Sequence, residues 1–313
     1  MKSLIRSLPV AACLMASAVT GQQADPLRAH PVLFRDEVFT IRAVDRVYDL
    51  HRTRPVTTLA IEHRDWPGNW FGLWLPETLY EEDKIVWSNF TKTERTQRWT
   101  TEANRSLSWR RQTERFELTT RLTPDATNNA LWITHTFRNT SNAPLRKLTT
   151  QTCFHMVDAP QFISTYGQRI WAKLDGEWIS TDRVDRQVSP DPRRVIFVRR
   201  GIRPVPEIVK HLDFLSAELL NVADHPLIIA EAFGGQGAVG IGQRDFRHIV
   251  NNNDSILRCI HSEPKPIATL EPGAETVQEG LIIFDRGDHV ALLKRWERLV
   301  SQRWREPKST GGN

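Results

Sequence analysis

Apolar and polar residues alternate along most of this chain with a period of two, in short runs broken by clusters of Gly, Pro, Asn, Ser and Asp. That period belongs to half-buried strands, whose successive side chains point to opposite faces. It predicts strands over 56–63 and 70–75, flanking the Pro- and Gly-containing turn Arg64-Asp65-Trp66-Pro67-Gly68-Asn69. Further strands are expected over 84–90, 107–111 and 115–122, then a hairpin of 130–138 and 145–156 around a Ser-, Asn- and Pro-containing turn. The segment 170–179 carries Trp171 and Trp178 about a Gly turn. Strands over 194–199, 226–233, 238–243, 255–261 and 276–284 follow, with Gly234-Gly235-Gln236-Gly237 as a hairpin turn.

Two stretches depart from this pattern. Residues 207–220 fit either period. Over 289–304, Leu292, Leu293, Trp296, Leu299 and Val300 form a stripe at helical spacing, with Asp285 or Asp288 available to cap its start. The expected fold class is therefore all-β, a large antiparallel β-sandwich with a C-terminal helix. No repeat or interdomain linker divides it, so one domain is expected over 27–305, followed by a polar, disordered tail over 306–313.

Lys2 and Arg6 precede a short apolar run, and Ala16-Ser17-Ala18 fits small-x-small cleavage, so residues 1–21 read as a signal peptide. Val10-Ala11-Ala12-Cys13 offers a competing lipoprotein box, with Cys13 as the anchor, although the apolar stretch before it is short. Export to a periplasmic or extracellular, bacterial setting is expected, without a transmembrane span. Losing Lys2 and Arg6 takes the formal charge from +5 to +3. That balance argues against a nucleic-acid partner.

Candidate chemistry concentrates on two segments that each contain Cys-x-His. On strands, Gln151, Cys153 and His155 share one face of the first, and Cys259 and His261 one face of the second. Cys153 and Cys259 are the two cysteines outside the leader; an oxidising compartment could join them in a disulfide, but two free, buried thiols packed as small apolar residues are the leading expectation. Together with the two histidines they make a Cys2His2 set of the zinc-binding kind, but flat strands are an unusual source for it. No metal or cofactor is expected. A second cluster, Arg64, Asp65, Trp66 and Trp70, mixes aromatic platforms with charged groups, as a sugar pocket requires; core packing is the competing use of its tryptophans. Asp158 and Glu263 lie just beyond the histidines, placed to orient an imidazole or meet a hydroxyl. The basic stretch Arg193, Arg194, Arg199, Arg200 and Arg203 reads as a solvated strand edge.

Three segments in order resemble the galactose mutarotase-like (aldose 1-epimerase-like) β-supersandwich superfamily. ALWITHTFRNTSNAP (130–144) is similar to that family's strand ending in Asn-Thr-Ser-x-x-Pro. LTTQTCFHM (148–156) falls where mutarotases have L-T-N-H-S-Y-F-N-L, and CIHSEP followed by LEPGAETVQEGLIIF falls at their Cys-x-Glu-Pro-Gln strand and final strand. The resemblance covers about half the chain past the leader and implies a supersandwich that handles sugars. It also places Gln151 at the family's acid, His261 at its base, and His155 where Asn is usual. Gln cannot transfer a proton, so the resemblance suggests an acid–base pair rebuilt as His155 (acid) and His261 (base).

The resulting expectation is a secreted carbohydrate-binding or carbohydrate-active protein with proton-transfer chemistry, of epimerase or lyase type, on a sugar or uronate. Gln151, Arg64, Trp66, Trp70, Asp158 and Glu263 are its expected ligand contacts. The alternative is a non-catalytic envelope protein, glycan-binding or structural, with both histidines in its interior.

Overall fold

A computed structural model describes residues 26–46, 55–89, 97–184, 194–199, 221–252 and 258–304. The leader with Cys13, the segment 207–220, Arg193, Arg200, Arg203 and the tail 306–313 lie outside the described residues. Among those described, twenty strands join in one hydrogen-bonded network, and one long helix closes the chain.

The N-terminal part is a meander. β1 (Val32–Arg35), β2 (Phe39–Arg46), β3 (Val56–His63) and β4 (Trp70–Glu81) pair in order, and β5 (Lys84–Ser88) closes on β4. β6 (Thr100–Thr101), β7 (Leu107–Gln112), β8 (Phe116–Asp125) and β9 (Ala130–Asn139) form a second meander. β10 (Leu145–Asp158) returns beside β4. Then come the hairpin β11 (Ile170–Leu174) and β12 (Glu177–Ser180), followed by β13 (Arg194–Arg199), β14 (Asn221–Ala223), β15 (Ile228–Glu231) and β16 (Ala238–Gln243). β17 (Phe246–Asn252), β18 (Cys259–Pro264), β19 (Ile267–Leu270) and β20 (Glu275–Asp285) complete the sheet, and α1 (His289–Arg303) follows. Among the described residues the pairings are antiparallel, except that β13 runs parallel to β14.

Strict alternation explains the layering. Ile228, Ala230, Ile282 and Phe284 enter the main core, whereas Leu227, Ile229, Leu281 and Ile283 face the other way, under α1. The helix buries Leu292, Trp296 and Leu299 on that outer face. Burying each such side chain stabilises by about 1.5–3 kcal/mol. Gly242 permits the contact: a Cβ there would lie 2.7 Å from the Trp296 ring. Of the two candidate caps, Asp288 does the capping, accepting from the Ala291 N–H at 3.0 Å, while Asp285 instead accepts from Arg295 at 2.7 Å.

The turn between β3 and β4 forms as expected, but its tryptophans go inward. Trp66 is buried in the main core, edge-on to Phe162, and its indole N–H donates to the Gln236 carbonyl at 3.0 Å. Its large apolar area and single donor are both satisfied there, which removes it from a ligand platform. Arg64 is exposed and ion-paired to Asp65 at 3.5 Å. Neither residue is brought to the site described next.

Candidate functional site

Five strands, β4, β10, β18, β17 and β13, lie side by side in one ladder. One face of the ladder is apolar: Leu73, Phe154, Ile260, Ile249 and Phe197 all belong to the main core, and Phe71 stacks on Phe154 at 5.4 Å. The period of two therefore sends the intervening residues to the opposite face. Across that face Trp74, Cys153 and His261 stand in one row, and Gly72, His155, Cys259 and Asn252 in the next. The two Cys-x-His segments are thus direct neighbours, each with its Cys and His on one face.

His261 is the hub of this face. Its Nε2 lies 2.8 Å from Cys259 Sγ, and its Nδ1 meets the Gln151 amide nitrogen at 2.6 Å and Glu77 Oε2 at 3.5 Å. Gln151 is itself oriented by the Tyr80 hydroxyl, which donates to its Oε1 at 3.0 Å. The surroundings of these side chains are graded. Cys153 and Cys259 are fully enclosed, whereas Gln151 keeps 7% of its surface, His261 5%, and Glu77 and Tyr80 3% each. The outer rim of the cluster is therefore Gln151, His261, Glu77 and Tyr80, and the thiols form its floor.

No disulfide joins Cys153 to Cys259. They sit diagonally across β10 and β18, pack with Val56 and Trp74, and behave as small buried apolar residues. Burial pushes the Cys153 thiol well above its usual range. The sulfurs of Cys153 and Cys259 and a ring nitrogen of His261 lie within 4.8 Å of one another. His155 does not join that group, so the Cys2His2 set is not assembled.

Electrostatics separate the two histidines. Burial holds the His155 ring neutral down to about pH 3, helped by the charges of Arg46 and His261. Its imidazole lies across Gly72, where a Cβ would come within 1.8 Å of it, and beside Trp74 at 5.2 Å. Burial also acts against charge on His261, but its neighbours Cys259 and Glu77 outweigh it and raise the group to about 9. Glu77 is pushed up to about 7 by burial, opposed by the charge of His261. The surroundings thus favour charge on His261 and disfavour it on His155. The acid role expected of His155 has no proton behind it.

Two other expected contacts have partners of their own. Glu263 is fully buried beside His248 at 3.4 Å and Arg247 at 3.5 Å, not beside His261. Burial raises it to about 8 against the pull of Arg247. Asp158 is ion-paired to Arg46. Asp158 and Arg46, but not Glu263, line a small cleft together with Trp70, Gly72, Thr58 and His155. Trp70, Asp158 and His155 are therefore brought together, one strand row away from His261.

Glu77 and Tyr80 are functional candidates that the sequence pattern did not single out. Pro76 inside the run 70–81 reads as a stop, because proline has no N–H for the ladder. The chain instead accommodates it in a bulge. Trp74 pairs with Cys153 and Thr78 with Gln151, so three residues of β4 oppose one of β10. The one available signal was a carboxylate directly after a proline inside an apolar run.

No protein-family model and no curated protein sequence matches the chain. Solved structures of similar architecture exist. The Slr1438 protein of Synechocystis aligns over 82% of this chain and 96% of its own, with a TM-score of 0.48 and 10% identity. A galactose mutarotase related enzyme from Lactobacillus acidophilus aligns over 82% and 97%, with a TM-score of 0.43 and 11% identity. A putative aldose 1-epimerase from Klebsiella pneumoniae aligns over 86% and 88%, with a TM-score of 0.39 and 11% identity. The last two bear the names of the superfamily whose motifs the sequence resembles.

Proposed function

We propose that this chain is an exported, carbohydrate-active protein that performs proton transfer, of epimerase or lyase type, on a sugar or uronate. One observation carries the reading. His261, at the position the motif resemblance gives to the family's base, is held at its two ring nitrogens by Cys259 (2.8 Å), Gln151 (2.6 Å) and Glu77 (3.5 Å). Orienting a titratable ring so completely, at the rim of a polar face, is what a proton-transfer site requires. Export rests on the leader pattern of residues 1–21.

A second reading, a non-catalytic glycan-binding protein, draws on the two positions that cannot donate: the amide of Gln151 and the neutral ring of His155. The same experiment decides between them. Polarimetry follows mutarotation, and ultraviolet absorbance follows unsaturated-uronate formation, over a panel of neutral aldoses and uronates. His261→Ala is expected to lower turnover by about a hundredfold or more. Binding by calorimetry with no turnover in the unaltered protein would establish the second reading. Full turnover by a folded His261→Ala would remove the ring from the chemistry.

A further inference from the structure

The register of two neighbouring strands gathers three metal-ligating side chains at one point. Cys153 of β10 pairs directly with His261 of β18, and Cys259 lies two residues from His261 along the same strand. All three share the polar face, with Cys153 and Cys259 as a diagonal cross-strand pair. Their two sulfurs and a ring nitrogen stand within 4.8 Å of one another, the only such group of three among the described residues. The strands that carry them are held on both sides, β10 by β4 and β18 by β17, so the donors sit on rigid elements.

Packing explains part of this arrangement. The thiols fill space against Val56 and Trp74 as small apolar residues would. The ring is left unexplained. His261 presents Nε2 to Cys259 Sγ at 2.8 Å. Its other nitrogen is fixed by the Gln151 amide at 2.6 Å, with Glu77 Oε2 beyond it at 3.5 Å, and the Tyr80 hydroxyl holds Gln151 in turn at 3.0 Å. A side-chain partner on the second nitrogen is what orients the imidazole of a metal site and sets its tautomer. With a metal on Nε2 the ring proton stays on Nδ1. The terminal amide of Gln151 then turns its oxygen to that proton and donates from its nitrogen to Tyr80, whose hydroxyl serves equally as acceptor.

We propose that Cys153, Cys259 and His261 form a metal site for a divalent, thiophilic cation of the zinc class, at the floor of the polar face. Charge balance selects the class. Each thiol gives its proton to water as its sulfur binds, the imidazole binds through the Nε2 lone pair, and no electron changes hands. Two thiolates cancel a double charge and leave a neutral unit, where burial penalises any net charge. A monovalent ion would leave one negative charge over. Two thiolates and one imidazole are a zinc set that keeps its fourth position open. Donors around zinc stand about 3.5–3.8 Å apart, so Cys259 and His261 part by about 0.7 Å on binding. Gln151 and His261 keep 7% and 5% of their surface, so the ion enters from the rim. The site goes beyond the proton-transfer reading and does not depend on it, because metal uptake is measured without a sugar.

The test uses the full-length protein, reduced and stripped of metal, titrated with cobalt(II) and then zinc(II). One equivalent of cobalt is expected, with a thiolate-to-cobalt charge-transfer band, and zinc should displace it; binding zinc to the stripped protein should release about two protons per ion. Cys153→Ala and Cys259→Ala should each halve the band and weaken zinc binding by about a hundredfold or more. The absence of a charge-transfer band in the unaltered protein overturns the site whether or not the variants fold. Undiminished zinc binding by either folded variant overturns it equally, since the ion would then sit elsewhere. Uptake of copper(I) under anaerobic conditions, with no uptake of cobalt or zinc, overturns the divalent assignment.

Discussion

Acidification from about pH 6 to pH 5 should remove about 3.5 kcal/mol of folding stability, a loss traceable to named side chains. Burial holds His135, His155 and His248 neutral to about pH 3, and His63 and His225 to about pH 4. Each is depressed below its unfolded value near 6.5, so its contribution is fully present above that pH and is lost as pH falls. Below it the unfolded chain takes up about five protons that the folded chain refuses. Glu77 and Glu263, raised to about 7 and 8, work the other way: folded, they already hold protons that the unfolded carboxyls release until about pH 4.5. His261, raised to about 9, is protonated in both states here and cancels. Five protons less two, reduced for partial titration, leave a difference of about two and a half, and each is worth 1.4 kcal/mol per pH unit. Urea denaturation followed by tryptophan fluorescence at pH 7, 6 and 5 measures it. A loss smaller than about 1 kcal/mol between pH 6 and 5 would show that these rings are not held neutral, and the burial argument would fail with it.

Other outcomes follow from single contacts. Gly72→Ala should destabilise by about 1–3 kcal/mol, because its methyl would occupy the His155 ring, and His155→Ala in the same chain should recover much of that loss; equal, additive losses would refute the contact. Asp288→Ala should lower stability by about 1 kcal/mol through the lost cap of α1, read from the urea midpoint. Tyr80→Phe, which frees Gln151 Oε1, should cost about 1 kcal/mol and move the His261 NMR shifts; unmoved shifts would show that Tyr80 does not orient the site.

Much of this architecture was legible from pattern alone. Period two placed β3, β10, β13 and β16, and the helical stripe placed α1, because each of those elements buries one apolar side against something uniform. β17 was not legible. Phe246–Asn252 reads Phe-Arg-His-Ile-Val-Asn-Asn, without alternation, and every one of these residues is buried in the fold. A strand whose second face lines a polar interior carries the composition of a loop. β4 was cut short at Leu75 for a related reason: a proline in a strand means a stop unless a bulge absorbs it, and the partner that stabilises this bulge, Gln97, comes from a distant part of the chain. That Cys and His share one face within each Cys-x-His segment followed from the period of two. The chemistry of the site did not, since the roles of His155 and His261 depend on which ring has a carboxylate beside it, and that carboxylate is Glu77. Trp66 was misleading for the same reason in reverse, because an aromatic residue in a turn reads equally as a platform or as an anchor.

The measurement that tests the central claim most directly is the His261 imidazole shift, followed by NMR while the sugar and uronate panel is titrated into the unaltered protein. A ligand that occupies the polar face should displace the ring's resonances saturably, and Gln151→Ala should weaken that response by about tenfold or more, the scale of a lost hydrogen bond to a charged group. Sugars that bind while the His261 resonances stay fixed would place the binding site elsewhere on the molecule and contradict the account.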